Sequence, residues 1–122
     1  MRSRMLVALI ALAVMNVACS TPAGLRTASA RFDACEQALL AGELIASTQS
    51  GLAIRDGDQV TEVLWPFGYS ARRETTGLVL RDDTGKVVGH EGQRVQMSGG
   101  LGANNVWTAC AGTIQEVSNV GG

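Results

Sequence analysis

The chain has 122 residues, 46% of them hydrophobic and 17% charged, with ten Lys and Arg against eleven Asp and Glu. At roughly 100 to 200 residues per domain, that length holds one domain and one core. The near balance of charge excludes a general attraction to nucleic acid or anionic lipid, so any basic contact has to be local.

The amino end reads Met1-Arg2-Ser3-Arg4 and then an apolar run from Met5 to Met15. A basic stretch followed by an apolar run of this length is the pattern of a secretory signal, and the run is shorter than the ~20 residues of a membrane span. Residues 1–18 are therefore expected to be a signal peptide. The following Asn16-Val17-Ala18-Cys19-Ser20 resembles the lipobox of bacterial lipoprotein precursors, although Asn16 stands where that family prefers an aliphatic residue. The resemblance implies a cut after Ala18 and acyl chains on Cys19. It also implies an exported protein held to a membrane, in the periplasm or at the cell surface. Cleavage after Ala23 in Thr21-Pro22-Ala23 and an uncleaved anchor are the alternatives. Without Arg2 and Arg4 the remainder has eight basic against eleven acidic side chains, a net charge of about −3.

Three cysteines leave an odd thiol in an oxidising compartment, and an acylated Cys19 accounts for it. Cys35 and Cys110 then pair. Closing a loop of about 75 residues contributes roughly 4 kcal/mol in the chain-entropy model, a large share of a domain stability of about 5–15 kcal/mol. Two separate buried thiols are the alternative.

Residues 19–31 are mostly small, polar or turn-forming, and segments of that kind bury too little surface to offset the entropy of ordering. They read as a flexible tether ahead of a domain over 32–118, with a disordered tail at 119–122. Phe32, Cys35, Leu39 and Leu40 fall at helical spacing before Gly42, which predicts a short helical turn leading into the first strand. In that strand Leu40, Leu44 and Ala46 alternate with Glu43 and Ser47. Short strands are expected from Gly51 to Arg55 and from Val60 to Trp65 around Asp56-Gly57-Asp58, and from Gly77 to Arg81 and Lys86 to Gly89 around Asp82-Asp83-Thr84-Gly85. Arg94 to Ser98 is the cleanest alternation, with Val95 and Met97 facing inward. Ser98 to Gly102 reads as a flexible connector, and a last strand runs from Val106 to about Val117.

The succession of a Gly42-containing strand, Leu78–Val88, Glu91–Val95 with its Gly99-Gly100 turn, and Cys110–Ile114 resembles the segment order of OB-fold barrels. The fold class is thus all-β, a small OB-like barrel of five or six strands. The resemblance implies two binding rims: an excursion from about Gln49 to Thr75 between the first and second barrel strands, and Gly99 to Asn105 between the fourth and fifth. Trp65-Pro66-Phe67-Gly68-Tyr69 is also similar to a segment in small exported domains of unknown function, a likeness that implies no activity.

No catalytic set emerges. The single His90 reads as a solvated turn residue, and no Gly-x-Ser-x-Gly elbow accompanies it. Asp56, Asp58, Asp82 and Asp83 lack the spaced acids of an EF-hand and read as turn caps. One His and paired cysteines make no zinc set. No metal, cofactor or nucleic acid is therefore expected. Trp65 to Arg73 concentrates three of the five aromatic residues with two arginines, a composition suited to gripping a partner. Trp65, Phe67, Tyr69, Arg72 and Arg73 form the candidate site for an envelope glycan or protein; the competing reading makes Trp65 and Phe67 a plug for one barrel end, with Trp107 beside it. The expected role is a non-catalytic, membrane-anchored envelope binding or accessory module. Its rivals are a structural or stress-related lipoprotein with no ligand at that loop and a hydrolase with an unrecognised site.

Overall fold

A computed structural model describes residues 20–32 and 34–118, so the expected signal segment, Cys19 and the tail at 119–122 lie outside the described residues. Within these lie ten strands: β1 (Thr21–Ala23), β2 (Ala38–Ser47), β3 (Gly51–Asp56), β4 (Gln59–Leu64), β5 (Ser70–Glu74), β6 (Gly77–Arg81), β7 (Val87–His90), β8 (Arg94–Leu101), β9 (Trp107–Ala109) and β10 (Gln115–Glu116). The helical element among them is a 3-10 turn at Ala103–Asn105.

β2, β3 and β4 form an antiparallel meander, β4 runs parallel to β9, and β9 and β2 both pair antiparallel with β8. That circuit closes a five-stranded OB-like barrel. The inward positions alternate as period-2 patterning requires: Leu44, Leu52, Ile54, Val63, Val95 and Met97 are all essentially inaccessible to solvent. Gly42 lets β2 hug β3, because a Cβ there would stand 2.5 Å from the Arg55 carbonyl oxygen and 2.7 Å from Ile54 Cγ2. Glycine at such a crowded barrel strand is a packing requirement.

Of the four aspartates read as turn caps, Asp82 caps its turn, while Asp83 pairs with Arg31. Asp82 Oδ1 accepts hydrogen bonds from the Thr84 hydroxyl (2.6 Å), the Thr84 amide (2.9 Å) and the Lys86 amide (3.0 Å). Those bonds, the Thr84 hydroxyl's foremost, hold the Asp82 carboxyl below its usual range. Gly85 takes the left-handed position at φ +88°, which glycine adopts at no steric cost. His90 ends β7, exposed, with Nδ1 against Glu116 Oε1 on β10.

Five expectations change. Residues 20–31 are not a free tether: β1 pairs with β5, the Arg26 amide donates to Ser50 O, and the Ala28 amide donates to Trp65 O. Main-chain hydrogen bonds, which need no large side chain, order this segment, and Pro22 is tolerated because β1 is an edge strand. The helical turn before the first strand is absent among the described residues. Ala38 already pairs with Gly99, and Phe32 and Leu39, two of the residues that set the helical spacing, are exposed at 58% and 68%.

The long excursion lies between the third and fourth barrel strands, not the first and second, which join through the short turn Thr48–Ser50. Residues 66–93 fold there into β5, β6 and β7, which with β1 make a second sheet. Its inner face sends Ala71, Leu78 and Leu80 into the barrel core. The expected last strand is split. β9 and β10 both lie along β8, separated by a turn at Ala111 and Gly112 that leaves the sheet. Ser98 to Gly102, read as a connector, mostly belongs to β8, where Gly99 and Gly100 leave room for the Trp107 indole and the Glu36 side chain.

Candidate functional site

The Trp65 to Arg73 segment does not present one surface. Trp65 is fully buried, and its indole Nε1 donates to Leu52 O on the neighbouring strand β3 at 2.9 Å. Its backbone is also fixed, the amide donating to Arg26 O and the carbonyl accepting from Ala28. The Tyr69 amide then donates to Pro66 O at 3.2 Å with Gly68 at φ +82°, a turn of the type that places glycine third. That turn points Phe67 outward, 42% exposed, and returns Tyr69 to the core at 6%. Trp65 and Tyr69 therefore serve as the plug, together with Trp107 in the same core cluster, while Phe67 stays on the surface. Arg72 and Arg73 follow on β5, exposed and pointing to opposite faces of a strand. They are not gathered with Phe67.

Tyr69 carries a testable property. Its hydroxyl accepts the Gly112 amide at 3.1 Å, and burial, seconded by the charges of Asp82 and Asp83, raises its pKa above 10.0. A raised folded pKa stabilises the fold fully below the unfolded value of about 10 and less and less as pH climbs through the folded value. As Tyr69 is the only tyrosine, its phenolate absorbance reports it alone. We expect that absorbance to emerge above the ordinary tyrosine range and together with unfolding. Titration of the native protein at the ordinary value would refute the burial.

What does gather around Phe67 comes from the segment expected to be tether and helical turn. Arg31 bridges Asp83 Oδ2 at 2.9 Å and lays its guanidinium over the Phe67 ring, 5.7 Å from the centroid. Phe32 follows. Cys35 is bonded to Cys110, with their Cα atoms 5.8 Å apart, and this link straps the chain around Cys35 to the barrel end. Two grooves of about 230 Å³ each flank that strap and meet at Phe32 and Cys35; one runs between Phe32 and Phe67, the other between Phe32 and Leu101. Phe32, Phe67 and Leu101 are 58%, 42% and 56% exposed. The 3-10 turn beside Leu101 holds Asn104 and Asn105 at φ near +60°, a conformation Asn tolerates better than most side chains. The expected rim at Gly99 to Asn105 thus borders this region.

Sequence reasoning missed Arg31, Phe32 and Leu101 as surface groups. The usable signal was the disulfide: an expected Cys35–Cys110 bond draws Arg31 and Phe32 to the barrel end that Cys110 occupies. Among the described residues no three His, Cys, Asp or Glu side chains converge as metal ligands. The chain matches no protein-family model, no curated protein and no solved structure.

Proposed function

We propose that this chain is an exported, lipid-anchored and non-catalytic module that binds an envelope protein through the rim formed by Phe32, Phe67 and Leu101. The observation that carries the reading is their joint exposure beside two apolar grooves. Isolated apolar side chains on a surface need no explanation, but a set of them rimming a concavity marks an interaction site. Arg31 gives the rim a planar donor fork beside an aromatic ring, a pairing enriched at binding hot spots. A protein partner suits it better than a glycan, since the aromatic rings that carry polar atoms, Trp65, Tyr69 and Trp107, are buried.

Export and anchoring are supported by the signal-like residues 1–18 and the lipobox-like Val17-Ala18-Cys19. The Cys35–Cys110 disulfide fits an oxidising compartment. In the test, affinity-tagged full-length chain is recovered from detergent-solubilised envelopes, with Phe32→Ser plus Phe67→Ser as the variant. A discrete co-purifying protein should fall at least tenfold in yield, as expected for losing two anchors worth more than ~1 kcal/mol each. Equal recovery with parent and variant sinks the rim as the binding surface.

A further inference from the structure

We infer that the edge formed by β1 and β5 rests on the phospholipid headgroup layer, with Arg72 and Arg73 on the phosphates of anionic lipids. The inference rests on the lipid-anchor reading of Cys19 and adds to it an orientation for the whole domain. Ser20 is the first described residue, and whatever is attached at Cys19 begins one peptide bond from it. It is not followed by a free tether. Thr21, Pro22 and Ala23 pair directly with Arg73, Arg72 and Ala71, so an anchor at Cys19 leaves the domain almost no slack.

Arg72 Nη1 donates to the Ser20 hydroxyl at 3.1 Å, so this guanidinium is held by the residue that follows Cys19 in the sequence. Arg73, on the other face of β5, lies in a groove of about 320 Å³ with Ala23, Gly24, Ala46, Ser47 and Leu78. Apolar side chains beside one arginine suit a headgroup phosphate with the glycerol below it. Among the described residues neither Arg72 nor Arg73 has a carboxylate within 4.0 Å, whereas Glu74 is paired with Arg81, and Glu62 is held by the Ser47 and Ser50 hydroxyls. The two arginines are therefore free to meet phosphate in a domain whose overall charge is acidic. The chain from Ala23 leads through Arg26 and Thr27, which pairs with Trp65, to Arg31 at the rim. The partner-binding rim thus lies at the far end of this segment from the anchored edge.

The experiment places a photo-crosslinking residue at Ser70, on the same face of β5 as Arg72, in the full chain in cells, with Val60 on β4 as the control position. Mass spectrometry then reads two things, the N-terminal peptide of the processed protein and any adduct at the probe. Phospholipid adducts at Ser70 in excess over Val60 are expected. Arg72→Glu with Arg73→Glu should cut them by more than fivefold, a basic side chain near an anionic surface being worth about that factor. Arg72→Lys with Arg73→Lys should retain the adducts and shows that substitution at these positions leaves the fold intact. Diacylated Cys19 without excess phospholipid at Ser70, or with protein adducts there instead, overturns the orientation alone. An unmodified Cys19 overturns the anchor and the orientation with it.

Discussion

Trp65→Ala should destabilise the protein by about 3–5 kcal/mol, while Phe67→Ala, two residues away, should cost under about 1 kcal/mol. Trp65 has no accessible surface and holds Leu52 O on the neighbouring strand, so its removal leaves both a cavity and a buried carbonyl without its donor. Phe67 already meets solvent over 42% of its surface, and its contact with Arg31 is the main thing it loses. For a domain of about 100 residues each kcal/mol moves the midpoint by roughly 4–8 °C. The two variants should therefore differ by about 10 °C or more in thermal unfolding. If Trp65→Ala unfolds at the parent temperature, the indole does not plug the barrel. A large loss for Phe67→Ala would place that ring in the core instead of on the rim.

Most of the strands were legible because they have a local signature. Val95 and Met97 alternate with polar neighbours, and Asp82 with Gly85 forms a turn from side-chain chemistry that reads directly from the residues. β1 was not legible. Thr21-Pro22-Ala23 is ordered by hydrogen bonds to the backbone of β5, and backbone groups are common to every residue. The position of the excursion was missed for a related reason. Local patterning gives strands and turns but not which edge a strand joins, and the closing pair β4–β9 is a parallel contact over two registered positions.

The candidate site was half legible. Aromatic rings and arginines in nine consecutive positions have the same composition whether they plug a core or line a surface. The turn at Pro66–Tyr69 divides them, burying Trp65 and Tyr69 and exposing Phe67, and strand alternation then parts Arg72 from Arg73. Arg31 and Phe32 carried the opposite error: small neighbours made one look like tether, and helical spacing made the other look like part of a helical turn. Both become surface groups of the rim once the strap is fixed by its disulfide.

Replacing Cys35 and Cys110 together by serine should lower unfolding free energy by roughly 4 kcal/mol, since the bond closes a loop with a sequence separation of 75. The double variant is the informative one, because Cys35→Ser alone leaves a thiol at Cys110, 5% exposed, in a compartment that oxidises thiols. The loss comes largely from a freed unfolded chain, so the barrel should still fold under mild conditions. The strap is another matter. Between Ala28 and Ala38 no main-chain hydrogen bond secures the described residues, and beyond the disulfide the ties include the exposed Arg31–Asp83 pair, the Arg31 stack on Phe67 and the Glu36 side chain against Gly100. Exposed ion pairs contribute about 0–1 kcal/mol. Removing the disulfide should therefore also release Phe32 from the rim and weaken partner recovery while the barrel core stays closed. Denaturant unfolding and co-purification of the same variant separate the two effects. Unchanged stability would mean that the two cysteines are not joined in the native protein. Lost stability with undiminished partner recovery would remove the strap, and Phe32 with it, from the binding surface.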